Sequence, residues 1–369
     1  MLSLAESKER VLVAMSGGVD SSVAAARLVS EGYDVVGVTL HLWDYPDAGE
    51  AGSHGKCCAP EDQYDAKRVA DALGFAHYTF DRRELFAEKV VVPFVDSYAA
   101  GETPSPCTAC NRSVKLGELQ DIARRLGATR IATGHYARTE RDAEGRAFLV
   151  EGLDKRKDQS YFLYASPPAL VDKFLFPLGH STKAEVRAEA VARALPGATK
   201  GESQELCFVG AGDHAYAQFV EQRLDPSKRR PGRMLNAEGQ VVAQHAGVHH
   251  YTVGQRKGLG VALGTPVFVR AIDAVTGDVH LGDAQSLGSY VARVEDVHLA
   301  PGVSLPMRAK VRVRYRHEGA VAELRFADDG THVLAHFDAP VRSVAKGQTA
   351  VFYLGERVLG GGRIVEAWS

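Results

Sequence analysis

The residue types most suited to chemistry lie near the N-terminus, where serines and glycines separate two apolar segments. The stretch reads Ala14-Met15-Ser16-Gly17-Gly18-Val19-Asp20-Ser21-Ser22. Residues 11–13 before it are apolar and mostly β-branched, as in a buried strand, and residues 23–29 after it are good helix formers. A glycine turn between a strand and a helix directs backbone N–H groups at an anion, and its missing Cβ atoms let phosphate oxygens approach. The stretch therefore predicts a nucleotide phosphate site.

The order Ser-Gly-Gly-x-Asp-Ser-Ser is the fingerprint of PP-loop enzymes, which split ATP between its α and β phosphates. The stretch lacks the lysine of the Gly-x-x-x-x-Gly-Lys-Ser/Thr loop, which holds the β and γ phosphates for γ-transfer. We therefore expect adenylation with release of pyrophosphate, helped by hydroxyl donors from Ser16, Ser21 and Ser22. A serine- and glycine-rich turn without a ligand is the alternative interpretation, and the strand–turn–helix context disfavours it.

Three of the five cysteines are candidates for sulfur chemistry. Cys107 and Cys110 stand in a proline-containing loop before a predicted helix at 112–126, and a helix N-terminus lowers the pKa of a nearby thiol. Cys207 lies far downstream. Three interpretations stay open: buried structural thiols, a zinc site shared with the adjacent pair Cys57–Cys58, and catalytic sulfur chemistry or a 4Fe-4S cluster on Cys107, Cys110 and Cys207. The surrounding prolines and polar residues favour the last of these.

The elements that must position these groups alternate between strands and helices as far as about residue 165. Strands are predicted at 35–40, 77–80 and 130–133, and helices at 61–73, 85–98 and 112–126. Ligands of open parallel sheets collect at the carboxyl ends of the strands. The loop after Leu40 and Gly134 should therefore face the nucleotide. A loop rich in glycine, aspartate and proline, 44–59, is expected to close over the ligand.

Beyond this region the sequence predicts further domains. The pattern is helical at about 166–195, where Thr182 and Glu185 form a capping box. Short β-rich runs with glycine and proline follow, and then regularly spaced strands typical of a small antiparallel barrel. We expect an α/β fold with an N-terminal Rossmann-like parallel sheet at 1–208, a central β-rich domain at 209–285 and a C-terminal antiparallel β-barrel at 286–369.

Composition narrows the class of protein. The chain has 369 residues, of which 45% are hydrophobic and 24% are charged, as in ordinary globular proteins. No apolar run reaches the ~20 residues needed to cross a membrane, and the first residues do not resemble a signal peptide. An odd number of cysteines argues against a secreted disulfide framework, so we expect a cytoplasmic protein with reduced thiols. With a net charge of −2, a nucleic-acid partner would have to be bound by local basic patches.

Two further groups of side chains, outside the cysteines and the glycine turn, are candidates for binding. Arginines and lysines alternate with apolar residues from Arg308 to Arg316, which on one strand would place five cations on one face. A solvated barrel face is the alternative. Three histidines, His245, His249 and His250, could suggest a metal, but the sequence shows no carboxylate or cysteine beside them, so packing histidines are favoured.

The combination of motifs resembles the bacterial tRNA-specific 2-thiouridylases over essentially the whole chain. The matching segments are Ser16–Ser22, Gly101–Asn111, Thr133–Arg138, Lys157–Tyr161, Cys207-Phe208, Tyr251–Gly260 and Gly360–Ile364. The resemblance implies that ATP and Mg²⁺ bind on Ala14–Ser21, with Leu40 and Gly134 on the adenine side. The enzyme would adenylate the C2 oxygen of the wobble uridine in a tRNA anticodon. Cys110 would carry a persulfide received from a sulfur-relay protein, and Cys207 would act as its partner thiol.

The resemblance also implies a tRNA surface and shows one departure. Residues matched to tRNA contacts are Ser105, Pro106, Lys157, Asp158, Gln159, Arg314 and Tyr315. Cys107 stands where the family commonly has an aspartate, and a thiol does not replace a carboxylate as a proton acceptor. This departure keeps open the 4Fe-4S cluster on Cys107, Cys110 and Cys207. The rival functions are a PP-loop ligase acting on a small molecule and a non-catalytic tRNA-binding module. We expect a monomer with no membrane association.

Overall fold

The computed structural model describes residues 8–44, 60–201, 206–210, 212 and 215–369. The chain forms two compact units. The first comprises Met1–Lys89, Ala109–Phe208 and Glu356–Val358, and the second comprises Val90–Thr108, Val209–Gly355 and Leu359–Ser369. Within the described residues, no helix is both long and apolar enough to cross a membrane.

The first unit is built on a parallel sheet. The strands of this unit are β1 (Arg10–Ala14), β2 (Asp34–His41), β3 (Ala76–Asp81), β4 (Arg130–Thr133), β5 (Ala137–Arg141), β6 (Ala147–Glu151) and β7 (Phe174–Leu175). The sheet order is β3-β2-β1-β4-β7 with parallel pairing, while β5 and β6 form an antiparallel hairpin. The chain leaves β1 toward β2 on one side and returns to β4 on the other. Ligands of parallel sheets bind at such a switch point, beyond the carboxyl ends of the strands.

Nine α-helices are described, of which Val92–Ala99 and Ala215–Arg223 belong to the second unit. They are α1 (Val19–Ser30), α2 (Pro60–Leu73), α3 (Arg83–Phe86), α4 (Val92–Ala99), α5 (Pro106–Cys110), α6 (Leu116–Arg125), α7 (Pro168–Val171), α8 (Lys183–Ala192) and α9 (Ala215–Arg223). Two π-helical segments, Ala87–Val91 and Asn111–Lys115, join α3 to α4 and α5 to α6. Single π turns inside α-helices are frequent at functional sites. The second of them begins directly after Cys110.

The central strand of the sheet is buried on both faces. Val11, Leu12 and Val13 are fully buried, which explains why β1 reads as a continuous apolar run and not as an alternating one. Val11 and Val13 belong to one hydrophobic cluster, to which α1 contributes Leu28. The alanine-rich centre of α1 brings the helix close to its neighbours, so the turn between β1 and α1 rests on a rigid support.

The second unit contains a small mixed sheet and a closed barrel. The sheet consists of β8 (Gly232–Leu235), β9 (Val241–His245), β10 (Phe268–Asp273) and β11 (Asp278–Gly282) in the order β10-β11-β8-β9. The barrel consists of β12 (Gly288–Leu299), β13 (Met307–Arg312), β14 (Ala320–Phe326), β15 (Val333–Arg342), β16 (Thr349–Leu354) and β17 (Arg357–Trp368), closed by the β12–β17 pairing. Closure leaves the barrel no unpaired edge.

The expected fold class is confirmed, and of two local expectations one is confirmed and one is wrong. The capping box is present, because the Thr182 hydroxyl accepts from the Glu185 N–H and the Glu185 carboxylate accepts from the Thr182 N–H. The prediction of helix throughout 166–195 is wrong, because β7 separates α7 from α8. This two-residue strand depends on pairing with β4, a contact that local sequence does not show.

Candidate active site

The turn between β1 and α1 has the geometry of a phosphate cradle. Gly17 adopts φ +73°, and a methyl group added there would lie 1.9 Å from the carbonyl oxygen of Asp62. Gly18 is the N-cap of α1 and has no side chain to cap it, so the first N–H groups of the helix are available to an anion. The hydroxyls of Ser21 and Ser22 both donate to the Gly18 carbonyl oxygen. These two buried serines thus shape the turn.

The structure brings the other predicted nucleotide-binding residues to the same edge of the sheet. Leu40 lies near the end of β2 and Gly134 directly follows β4, on either side of β1. A methyl group at Gly134 would lie 2.8 Å from the backbone nitrogen of Ser21, although the φ angle of Gly134 is not positive. Gly134 is therefore required for close contact with the start of α1. Burial lowers the pKa of the next residue, His135, to about 3, with Lys115 adding to the effect, so its ring is neutral at physiological pH.

Lys183 is a cation at this turn that the sequence analysis missed. Its Nζ atom lies 2.6 and 2.8 Å from the two carboxylate oxygens of Asp20, and the Tyr136 hydroxyl donates to the same carboxylate at 2.9 Å. The Lys183 side chain is only 12% exposed. The turn itself has no lysine, and α8 supplies one beside it. The available signal was the capping box, which makes Lys183 the first residue of α8.

A second group of charges lies on the other side of the turn. Asp62 and Asp65 of α2 are almost fully buried and pair with Lys200, whose Nζ atom is 3.0 Å from Asp62. Burial alone would lower the pKa of Lys200, but its hydrogen bonds to Asp65 and Asp62 outweigh burial and raise it. Mg²⁺ prefers carboxylate oxygens. Asp20, in the first turn of α1, is a carboxylate that could hold a magnesium ion at this turn.

The first two candidate cysteines lie on one short helix. The helix begins at Pro106 and not at about residue 112 as predicted, so Cys107 and Cys110 are inside it and not in a preceding loop. Proline is favoured at the first helical position, a signal the prediction overlooked. Cys107 is exposed and Cys110 is buried, and all three described cysteines are reduced thiols. The hydroxyls of Ser105 and Thr108 lie 2.9 Å apart at the start of the helix.

Asn111 follows Cys110 and carries an unusual polar atom. Its side chain is buried, and its Oδ1 atom has no hydrogen-bond partner in the part of the chain that the structure describes. Buried acceptors are nearly always paired, so this unpaired atom next to a thiol is available to a donor from outside the chain. An amide oxygen can accept an N–H or O–H hydrogen bond there.

Cys207 is positioned through its neighbour. The ring of Phe208 packs against Trp43 and Phe86, with ring centroids 6.2 and 5.5 Å away. Trp43 follows the carboxyl end of β2, on the edge of the sheet where the phosphate turn lies. The loop 45–59, with Cys57 and Cys58, lies outside the described residues, so the zinc site that includes this pair stays a prediction.

The predicted tRNA contacts of the first unit are half-buried or buried. Lys157 is half-buried, whereas the Asp158 carboxylate is 2% exposed and accepts hydrogen bonds from the backbone N–H groups of Gly152 and Ser160. The Gln159 side-chain oxygen accepts from the Tyr136 N–H at 3.0 Å. Asp158 and Gln159 therefore hold the backbone of this segment in place.

The expectation of five cations on one face of a strand is wrong. Strand β13 ends at Arg312, and the chain then turns, so the alternation does not continue to Arg314 and Arg316. Arg312 is 8% exposed, donates to the carbonyl oxygens of His317 and Tyr315, and lies over the Tyr353 ring. Arg314 is exposed on the turn that Arg312 builds.

Comparison with known proteins gives full-length matches. Family models match residues 9–211 (tRNA methyl transferase HUP domain), 217–283 (tRNA methyl transferase PRC-barrel domain) and 289–364 (Aminomethyltransferase beta-barrel domain). The chain is 59% identical over 362 residues to the tRNA-specific 2-thiouridylase MnmA of Sorangium cellulosum, covering 97% of this chain and 92% of the relative. It is 46% identical to the protein of the same name from Paramagnetospirillum magneticum, with 97% and 96% covered. For that of Heliobacterium modesticaldum the identity is 44%, with 97% and 93% covered.

Proposed function

This chain belongs to the family of tRNA-specific 2-thiouridylases, and on that premise we propose that it transfers sulfur to C2 of the wobble uridine of tRNA in an ATP-dependent reaction. The observation that carries the proposal is the position of the phosphate turn and of the segment bearing Cys207 at the same edge of one parallel sheet. An adenylating site and a thiol at a single edge can act on one substrate atom in succession.

In the first step the uridine C2 oxygen attacks the α-phosphorus of ATP, and pyrophosphate leaves. The glycine turn and the first N–H groups of α1 bind the phosphates, while Lys183 offers a cation beside them. Leu40 and Gly134 lie on the adenine side. Mg²⁺ neutralises phosphate charge when it is bound. Asn111 accepts the N3–H of the uracil, which a cytosine lacks, so this residue selects uridine.

In the second step sulfur replaces the activated oxygen. A sulfur-relay protein loads Cys110 with a persulfide, whose terminal sulfur attacks C2 while the C2–oxygen bond breaks and AMP leaves. The Cys207 thiolate then attacks the Cys110 sulfur, which releases the thiolated tRNA and leaves a Cys110–Cys207 disulfide. A thiol reductant restores both thiols. In the alternative order, Cys207 attacks the persulfide first and releases sulfide, which is the nucleophile for C2.

Cys107 raises the alternative of a 4Fe-4S cluster on Cys107, Cys110 and Cys207 as the sulfide carrier. The exposed Cys107 and the buried Cys110 lie three residues apart on one helix. Iron and acid-labile sulfide in anaerobically purified protein distinguish the two carriers.

The decisive assay measures pyrophosphate release and thiouridine formation with an unmodified tRNA transcript. We expect both products only when ATP and a transcript with uridine at the wobble position are present. The same transcript with cytidine at that position serves as the control and should release no pyrophosphate. A small-molecule ligase would release pyrophosphate without tRNA, and a tRNA-binding module would release none. Either result would contradict the proposal.

Arg312, the last residue of β13, and Arg314, on the turn after it, should respond differently to substitution by alanine. Arg314→Ala removes an exposed cation, so we expect tRNA affinity to fall roughly tenfold and the salt slope of binding to flatten by about 0.7–0.9. Arg312→Ala removes a buried structural side chain and should lower the free energy of unfolding by about 2–4 kcal/mol. Filter binding at several salt concentrations and urea unfolding test the pair. An unchanged salt slope in Arg314→Ala would exclude this residue from phosphate binding.

A further inference from the structure

Outside the candidate active site, the second unit gathers a carboxylate and two imidazoles. Glu221 on α9 approaches His249 and His250 on the 3-10 turn Val248–His250. One ligand atom from each of the three residues lies within 4.8 Å of the others. The expectation that no carboxylate accompanies these histidines is therefore wrong, because Glu221 is distant in the sequence and comes close only through the fold. We propose that Glu221, His249 and His250 bind a divalent transition-metal cation such as Zn²⁺.

His249 provides the main argument for a ligand. Its side chain is 1% exposed, and neither ring nitrogen has a hydrogen-bond partner among the residues that the structure describes. An imidazole buried in this way normally donates one N–H and accepts one hydrogen bond. A ring nitrogen of a neutral imidazole that lacks a hydrogen-bond partner has a lone pair for a metal ion.

The ligand atoms of the three residues lie close to the spacing of a metal site. The Oε2 atom of Glu221 lies 3.9 Å from Nε2 of His250, and the rings of His249 and His250 are 4.2 Å apart at their centroids. A tetrahedral zinc ion holds its ligand atoms ~3.3 Å apart, so small side-chain rotations suffice. The Tyr216 hydroxyl donates to the His250 carbonyl oxygen at 2.9 Å and fixes the backbone of the turn.

Charge and ligand type determine which cation fits. Two neutral imidazoles and one carboxylate suit Zn²⁺ and disfavour Mg²⁺ or Ca²⁺, which prefer oxygen ligands. Arg229 lies 3.7 Å from the other oxygen of Glu221 and is itself partly exposed, so it can move away when a cation binds. Three protein ligands leave a fourth position for water. The ion would link α9 to the turn that follows β9.

The test uses the full-length protein, stripped with a chelator and titrated with zinc alone. We expect stoichiometric zinc binding by calorimetry and a rise in the melting temperature. In Glu221→Gln and His250→Gln the zinc affinity should fall at least tenfold. These half-exposed positions tolerate substitution better than His249. Glu238→Gln, an exposed glutamate on the β8–β9 turn, is the matched control and should bind as the unchanged protein does.

The absorption spectrum of bound Co²⁺ distinguishes binding at this site from binding to the cysteines. A site of two imidazoles and a carboxylate gives visible cobalt d–d bands without the near-ultraviolet charge-transfer band of cobalt–thiolate bonds. A strong thiolate band at one equivalent of Co²⁺ would overturn the proposal, as would zinc affinity that survives both substitutions. The assay contains neither tRNA nor ATP, so its outcome is independent of the proposed thiolation.

Discussion

Replacing Cys110 with serine should lower the rate of tRNA thiolation by at least about 10³-fold, because a serine oxygen cannot carry the persulfide. The rate of tRNA-dependent pyrophosphate release should stay within a few-fold of the unchanged enzyme. Adenylation depends on the phosphate turn at residues 14–22, which contains no cysteine. Thiouridine is quantified by nucleoside mass spectrometry, and pyrophosphate by a coupled assay on the same reactions.

Cys107→Ser is the matched control, since Cys107 is on the same helix and is exposed. If Cys110 acts through a persulfide, Cys107→Ser keeps most of the thiolation activity. Equal loss in both variants, together with loss of bound iron, would instead favour the cluster as carrier. Retained thiolation in Cys110→Ser would remove Cys110 from the mechanism.

Gly17→Ala should abolish measurable ATP binding and lower the free energy of unfolding by at least about 3 kcal/mol. The added methyl group would overlap the Asp62 carbonyl oxygen at 1.9 Å, and the backbone at Gly17 is in the left-handed region that alanine adopts only with strain. Since the neighbour is backbone of α2, no side-chain rotation can relieve the overlap. Urea unfolding and nucleotide calorimetry measure the two effects.

Gly18→Ala separates the two effects of Gly17. A methyl group at Gly18 would lie 3.6 Å from the Ser16 hydroxyl oxygen, an ordinary contact, and the backbone there is extended. Gly18→Ala should therefore unfold like the unchanged protein and still bind ATP more weakly, because a methyl group at the N-cap adds bulk beside the first N–H groups of α1. Equal stability of Gly17→Ala and Gly18→Ala would contradict the packing of the turn against α2.

Prediction from the sequence succeeded for the elements that local residue preferences determine. The apolar run at 11–13, the glycine turn and the alanine-rich helix predict the first strand–turn–helix unit without tertiary information, because each follows from backbone preference or burial. The hairpin of β5 and β6 was not predicted, since its strands are half-buried and carry charged residues. Arg312 was misplaced because periodicity along a strand does not show where the strand stops.

The parts of the site that sequence reasoning missed depend on long-range contacts. Lys183 pairs with Asp20 across 163 positions, and nothing in either local segment indicates the other. Glu221 meets His249 and His250 for the same reason. By contrast, Gly134 was found because the rule for parallel sheets places the ends of neighbouring strands together. Topological rules thus predict where groups converge, but not which distant side chains join them.

The π-helical segment after Cys110 has a geometric consequence. A turn closed by i→i+5 hydrogen bonds holds one residue more than an α turn. The extra residue rotates the helix before it by about 100° relative to the helix after it. The apolar side of α6, formed by Leu116, Leu119 and Ile122, therefore does not extrapolate back to the thiol by ordinary helical spacing. The direction of the Cys110 side chain is set by the number of residues in 111–115 and not by their chemistry. A chain with one residue fewer in 111–115 would keep Cys110 but point its side chain in a different direction.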